Sequence, residues 1–181
     1  MNAEELQDAI YKVTMDADQE AFEKIYLNYC DKLFGLAFTI VKSEPLAEEI
    51  YNDVMLNIWQ NRSKLVFVNN FPVYLYVSVK NKSLRALSNL NKKACLHIED
   101  MTVEFTDRNP TPEDNLIFKE TSLKLKSAID QLSPQCRLIF KMVKEDGLKY
   151  KEVADILNTT TKNIEYHMGN AFKKISSHLS F

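Results

Sequence analysis

The sequence predicts an all-α protein built from two small helical domains that are joined by a flexible acidic linker. Only three glycines and five prolines occur in 181 residues, which favours long helices over tight turns. Apolar residues recur with a period near 3.6 in both halves of the chain, and residues 91–115 between them are rich in acidic residues, Asn, Pro and Thr. We therefore expect domains at 1–92 and 116–181, with the linker at 93–115.

The first half contains two clearly periodic segments. Residues 18–41 predict one long helix or two abutting helices, and residues 47–60 predict another. The periodic apolar positions are Phe22, Ile25, Tyr26, Tyr29, Leu33, Leu36, Ala37 and Ile40, and then Ile50, Val54 and Ile58. Ser43 and Pro45 predict the start of the second helix, because serine favours the N-cap and proline the first turn.

Residues 71–89 give conflicting signals. The stretch VYLYVSV is β-branched and aromatic, so its local propensity is for a strand. No second strand is predicted nearby to pair with it, and residues 80–90 favour a helix. We therefore predict a helix over 71–89.

The second half begins with another periodic segment. Its apolar positions are Leu116, Leu123, Leu125, Ile129 and Leu132. Ser133 and Pro134 predict the cap and first position of a further helix, and Gly147 suits a left-handed helix stop.

Residues 147–175 predict a helix-turn-helix. A short helix at 150–157, with Val153, Ala154 and Leu157 inward, is followed by a three-residue turn in which Thr160 can cap the next helix. In that second helix one apolar stripe consists of Ile164, Met168, Ala171 and Ile175. The residues predicted to face outward and bind DNA are Lys162, Asn163, Glu165, Tyr166, Asn170 and Lys173. An ordinary helical hairpin is the alternative interpretation.

Charge is distributed in blocks although the net charge is only −2. Residues 1–59 hold 12 acidic and 4 basic residues, whereas residues 60–98 hold 7 basic residues and no acidic one. Residues 99–120 are acidic again, with 7 acidic and 2 basic residues, and residues 121–181 hold 10 basic and 6 acidic residues. The pattern indicates several distinct surfaces and not one face for polyanions.

Several functional classes lack support in the sequence. The three cysteines, Cys30, Cys95 and Cys136, lie far apart and show no metal-ligand or disulfide spacing. No glycine-rich phosphate loop occurs, and the three histidines have no fixed partners. We expect no enzyme activity, no cofactor, no metal and no small-molecule substrate. The N-terminus shows no signal sequence and no apolar run approaches membrane-spanning length, so we expect a cytoplasmic protein.

Both halves resemble one protein family. AFEKIYLNYCDKLFGLA at 21–37, AEEIYNDVMLNIW at 47–59 and FPVYLYVSVKNKSLRAL at 71–87 resemble region two of an extracytoplasmic-function RNA polymerase sigma factor. Residues 132–175 resemble region four of the same family. The resemblance is greatest to versions from Bacteroidetes, whose recognition helix often carries a run like Glu165-Tyr166-His167. It implies a sigma factor that binds core RNA polymerase and directs promoter-specific transcription initiation.

The resemblance implies that the helix at 47–60 docks on the β′ clamp helices of core RNA polymerase. The matching positions are Glu49, Asn52, Asp53 and Asn57. An amphipathic helix with an acidic edge can pair with a basic coiled coil, although an exposed charged face can also be merely solvated.

The resemblance also implies that residues 61–90 melt and read the minus-ten promoter element. The residues expected to bind DNA there are Arg62, Lys64, Tyr74, Lys80, Asn81 and Arg85, with Lys82 as a further phosphate contact. Tyr74, Tyr76 or Phe67 could stack on unpaired bases, and the other aromatic residues belong to the core.

In the helix-turn-helix, the family commonly has arginines where this chain has Glu165, His167 and Asn170. Glutamate can accept from cytosine and asparagine can pair with adenine, so a different minus-thirty-five sequence is expected. The implied partners are core RNA polymerase, through its β′ clamp helices and β flap, promoter DNA and an anti-sigma factor. The alternative is a LuxR-like helix-turn-helix regulator that binds DNA without docking on polymerase.

Overall fold

The computed structural model describes residues 1–91, residue 125 and residues 127–179. The chain divides into two compact units, Met1–Leu96 and His97–Phe181. Within the described residues both units consist of helices and turns without a strand, which confirms the predicted all-α class with two helical domains. The predicted linker at 93–115 and the first residues of the predicted second domain lie outside the described residues.

The first unit is a bundle around one long central helix. Its elements are α1 (Ala3–Asp16), α2 (Gln19–Val41), α3 (Glu44–Gln60), a 3-10 helix (Arg62–Phe67) and α4 (Phe71–Asn91). Helix α2 contacts α1, α3 and α4, and its side chains Leu33, Leu36 and Ala37 are fully buried. Residues 18–41 thus form a single helix and not two.

The helix starts follow local hydrogen-bonding rules. The side chain of Asp18 accepts a hydrogen bond from the Ala21 N–H at 3.0 Å at the start of α2. Ser43 occupies the N-cap of α3 as predicted, and Pro45 lies in the first turn, but the Ser43 side chain makes no capping hydrogen bond. The proline therefore carries more of the start signal than the serine does.

Two elements of the first unit are additions to the sequence prediction. Helix α1 begins with a capping box in which the Asn2 side chain and the backbone N–H of Glu5 pair at 2.9 Å, and the Glu5 carboxylate accepts from the Asn2 N–H at 2.9 Å. The 3-10 helix lies in the polar stretch after α3 and is anchored by the buried Leu65. The two elements contact each other.

Helix α4 settles the conflict at residues 71–79 in favour of the helix. Leu75, Tyr76 and Val79 are all buried, at positions that a helix places on one face. The side chains that favour a strand locally thus fill the core in helical spacing, because packing against α2 and α3 outweighs a propensity of a few tenths of a kcal/mol per residue.

The second unit is built on its last helix. The described residues 127–130 are helical, and α5 (Pro134–Phe140) follows and continues as a π-helix over Lys141–Glu145. Helices α6 (Tyr150–Leu157) and α7 (Thr161–Leu179) complete the unit, and α5 and α6 both pack on α7. Ser133 caps α5 by accepting from the Cys136 N–H at 3.4 Å. Gly147 adopts a φ of 77°, as expected for a left-handed stop.

The predicted core of the second unit needs two corrections. Leu125 is exposed and Ala128 is buried instead, while Leu116 and Leu123 lie outside the described residues. In α6, Val153 and Ala154 are buried as predicted, but Ile156 and not Leu157 is the third buried side chain. Both errors are shifts in helical phase, which short segments with few apolar residues define poorly.

The helix-turn-helix has the predicted geometry. Asn158 ends α6 with a φ of 52°, and the Thr160 hydroxyl accepts from the Asn163 N–H at 3.2 Å at the start of α7. The four residues predicted to form the buried stripe of α7 are all buried: Ile164, Met168, Ala171 and Ile175. This stripe fixes which side of α7 faces outward.

Candidate functional site

A polar groove of about 560 Å³ runs between α3 and α4 in the first unit. It brings together residues that the sequence assigned to two different partners. From the predicted polymerase-binding set it contains Glu49, Asp53 and Asn57, and from the predicted minus-ten set it contains Tyr74, Asn81 and Arg85. Acidic side chains of α3 and basic side chains of α4 thus face the same cleft.

An ion pair spans this groove. The Lys82 Nζ of α4 lies 2.5 Å from a carboxylate oxygen of Asp53 on α3. The two side chains are 40% and 46% exposed, so water screens their attraction and the pair contributes about 1 kcal/mol at most. Both groups can therefore exchange each other for an external partner at small cost.

The exposed side of α3 extends beyond the groove. Asn52 lies on the edge nearest α2, where its side-chain oxygen accepts a hydrogen bond from the Tyr26 hydroxyl at 2.7 Å. Burial raises the pKa of Tyr26, which keeps that hydroxyl protonated as a donor. The Tyr51 hydroxyl donates to the Tyr26 backbone carbonyl at 2.5 Å, so this edge of α3 is held firmly against α2.

Sequence reasoning missed Leu56. It is 53% exposed and, at 100° per residue, it projects between Asn52 and Asp53 on the outer side of α3. The spacing of three and four residues from these two positions was the available signal. We call the surface formed by Glu49, Asn52, Asp53 and Leu56 the docking face.

A smaller depression of about 300 Å³ continues the groove past the end of α3. Asn57 and Tyr74 line both cavities, and Lys64 from the 3-10 helix joins them in the second. Phe67 near the same end of the unit is 83% exposed, whereas Tyr76 is fully buried. Burial therefore excludes Tyr76 as a base-stacking residue and leaves Tyr74 and Phe67.

Two predicted DNA-binding residues lie outside the groove. The Arg62 guanidinium lies 4.9 Å from the centre of the Trp59 ring and donates to the Trp59 backbone carbonyl at 3.0 Å. Trp59 in turn packs on Phe22 of α2, so Arg62 secures the end of α3. Lys80 is half-buried and lies about 140° around α4 from Arg85.

The outward side of α7 forms the second candidate surface. We call it the recognition face, and its members are Lys162, Glu165, Tyr166, Asn170 and Lys173, all of which are exposed. They project from the side opposite the buried stripe, as predicted. The face combines two cations with a carboxylate and an amide, which can read base edges, and with a tyrosine that is 64% exposed.

Asn163 differs from the other predicted residues of α7. It is half-buried, and its side-chain amide donates to the Thr159 hydroxyl at 3.0 Å. Together with the Thr160 cap, this bond rigidifies the turn between α6 and α7. Asn163 therefore positions the start of α7 and is a weaker candidate for direct base contact than Asn170.

Within the described ranges, no group of three or more His, Cys, Asp or Glu side chains is arranged to hold a metal ion. No helix in the same ranges is long and apolar enough to cross a membrane.

Two family models match the chain, one in each unit. Residues 25–93 match sigma-70 region 2, and residues 122–175 match sigma-70 region 4. The first match covers α3 and the groove, and the second covers the helix-turn-helix. A LuxR-like regulator would account for a helix-turn-helix but not for a sigma-70 region 2, so the alternative prediction is set aside.

Whole-chain relatives agree with these matches. The chain is 19% identical over 171 residues to the extracytoplasmic-function sigma factor SigK of Mycolicibacterium vanbaalenii, covering 93% of this chain and 86% of the relative. It is 23% identical over 154 residues to the extracytoplasmic-function sigma factor SigW of Bacillus subtilis, covering 81% and 82%.

A solved structure shows the same fold. It is the sigma factor RpoE of Bartonella quintana in complex with the anti-sigma factor NepR, with a TM-score of 0.64, 16% identity and coverage of 87% of this chain and 96% of that chain. Region 2, region 4 and the whole-chain relatives all point to one family. The chain belongs to the extracytoplasmic-function group of sigma-70 factors, which are not enzymes but initiation factors that bind core RNA polymerase and direct promoter-specific transcription.

Proposed function

We propose that the docking face of α3 binds the β′ clamp helices of core RNA polymerase. The face is acidic and polar at Glu49, Asn52 and Asp53 and carries Leu56 near its centre. This arrangement, an apolar anchor ringed by charge, is typical of residues that dominate binding energy. Asn57 lies on the groove side of the same helix and belongs to the proposed contact.

We propose further that the groove side of α4 and the end of the 3-10 helix hold the melted minus-ten element. Asn81, Lys82 and Arg85 supply donors and positive charge for phosphates and bases. Tyr74 and Phe67 are the exposed aromatic side chains available for stacking. Lys64 joins this set through the second depression, whereas Arg62 and Lys80 are assigned at most peripheral contacts.

The recognition face of α7 is proposed to read the upstream, minus-thirty-five element. Glu165, Tyr166 and Asn170 would contact base edges, and Lys162 and Lys173 would contact phosphates. The domain assignment that follows is region two at 1–92, a linker at 93–115 and region four at 116–181, and region four would also contact the β flap. The observation that carries the proposal is the placement of acidic docking residues and basic DNA residues on opposite walls of one groove.

The remaining partners are proposed on the resemblance. The Bartonella quintana relative is solved with an anti-sigma factor, which supports a similar partner here. Action in the cytoplasm follows from the location of core polymerase. The run Glu165-Tyr166-His167 in α7 supports an affinity with the sigma factors of Bacteroidetes.

A pull-down with core polymerase, followed by selection of promoter DNA from a random library by the resulting holoenzyme, tests the proposal. We expect stoichiometric capture of the chain and enrichment of two separated sequence elements. Capture without enrichment of an upstream element would contradict the role of the recognition face. Failure of capture would contradict the role of the docking face.

A further inference from the structure

Gly169 has no structural explanation inside the protein. It is the ninth residue of the 19-residue helix α7, and glycine in a helix interior is less favourable than alanine. A Cβ added at this position would meet nothing within 4 Å, and its backbone is not in the left-handed region. Neither packing nor backbone geometry therefore requires glycine here.

The position of Gly169 points outward, to the recognition face. At 100° per residue it lies 40° from Glu165 and 20° from Lys162 around the axis, on the side opposite the buried stripe. The Tyr166 ring packs edge-on against the His167 ring, with centroids 5.5 Å apart, on the side of the helix away from Gly169. Gly169 is thus an uncovered patch of backbone within the proposed DNA-reading surface.

The side chains that flank this patch make a close approach necessary. Asn170 has a short side chain, and it can form a bidentate pair with a base only if the helix backbone lies close to the groove floor. An arginine at the same place could reach a base from farther away. Removing the Cβ at the neighbouring position lets the helix come nearer, which is a recognised use of glycine where a backbone approaches a ligand.

We infer that Gly169 is the position at which the backbone of α7 comes closest to the base edges of the upstream promoter element, and that the missing side chain is a determinant of promoter specificity. The inference rests on the proposed function of α7 and adds to it a residue with no side chain of its own. The ligand is double-stranded DNA approached in the major groove.

The test uses holoenzyme containing full-length Gly169→Ala, Gly169→Leu or Asn170→Ala, and the promoter duplex that wild-type holoenzyme selects from a random library. Affinity is measured on this duplex and on a copy with a scrambled upstream element. We expect Gly169→Ala to weaken binding to the intact duplex about fivefold and Gly169→Leu to weaken it further, with no change on the scrambled copy. Thermal melting of the free variants checks folding, and Gly169→Ala should melt at a temperature equal to or higher than that of the wild type.

The outcomes separate this inference from the proposed function. If Asn170→Ala loses discrimination at the upstream element and both Gly169 variants bind as the wild type does, the inference is overturned and the proposed function stands. If none of the three variants affects the intact duplex, both fail. A loss that is equal on intact and scrambled duplexes, or a lowered melting temperature for Gly169→Ala, also overturns the inference, because either result indicates a structural role.

Discussion

Replacing Asp53 by lysine tests whether the outer side of α3 holds core polymerase. In the free protein this residue is paired with Lys82 at 2.5 Å, and both side chains are nearly half exposed. Exposed ion pairs of this kind contribute about 0.2–1 kcal/mol. Loss of the pair should therefore lower the melting temperature of the first unit by at most about 4–8 °C, which leaves it folded at room temperature.

The effect on polymerase binding should be larger than the effect on stability. If Asp53 meets a basic group on core polymerase, lysine replaces an attraction by a repulsion. We expect the affinity for core to fall at least about tenfold, which corresponds to roughly 1.4 kcal/mol. Titration of labelled protein with core polymerase at two salt concentrations measures the loss, and the loss should shrink at higher salt because of screening.

The charge-swapped double variant, Asp53→Lys with Lys82→Asp, is the matched control. It keeps the net charge of the chain and restores an ion pair of the opposite polarity across the groove. We expect the melting temperature to return towards the wild-type value while the affinity for core stays low. Wild-type affinity in the double variant would show that Asp53 acts only through Lys82, and wild-type affinity in the single variant would refute the docking assignment outright.

Other substitutions probe the remaining surfaces. Leu56→Ala should weaken core binding by about 1–2 kcal/mol while changing the melting temperature little, since half of the side chain is already exposed; a matching loss of stability would mark Leu56 as structural. Phe67→Ala should slow promoter opening on duplex DNA but not on DNA with a pre-melted minus-ten region, as followed by permanganate footprinting; equal defects on both templates would argue against stacking during opening. Asn170→Ala should relax base choice at one or two positions, at about 1–3 kcal/mol, whereas Lys173→Ala should weaken all sequences alike and lower the salt slope by about one, both measured by library selection and salt titration. Burial raises the pKa of Cys136, so less thiolate is present as the pH approaches the ordinary thiol pKa, and iodoacetamide at pH 8 should modify this residue only after unfolding; rapid modification of the native protein would contradict its burial.

Much of the fold could be predicted because its signals are local. The α4 prediction succeeded against strand propensity since no partner strand existed, and the caps at Ser133 and Thr160 were legible as residue types in fixed positions. Helix α1 was missed although its capping box was visible at Asn2 and Glu5. Its apolar content is low, and periodicity alone gave little signal there.

The candidate sites were less predictable because they depend on how helices pack. Sequence phase could place Asp53 and Arg85 on exposed sides of their own helices, but not on facing walls of one groove. Nor could it decide between Tyr74 and Tyr76, whose types are identical and whose burial differs completely. The recognition face was predicted in full apart from Asn163, since one helix with one buried stripe determines it.

The shared groove couples two traits that would otherwise vary independently. A mutation in its α3 wall alters the environment of the α4 wall, so a lineage that adjusts its grip on polymerase also changes how it handles opened DNA. Compensating substitutions are then expected in pairs across the cleft. Chimaeras that transplant α3 from another sigma factor should work only when α4 travels with it, and libraries that aim to retune such factors should randomise both walls together.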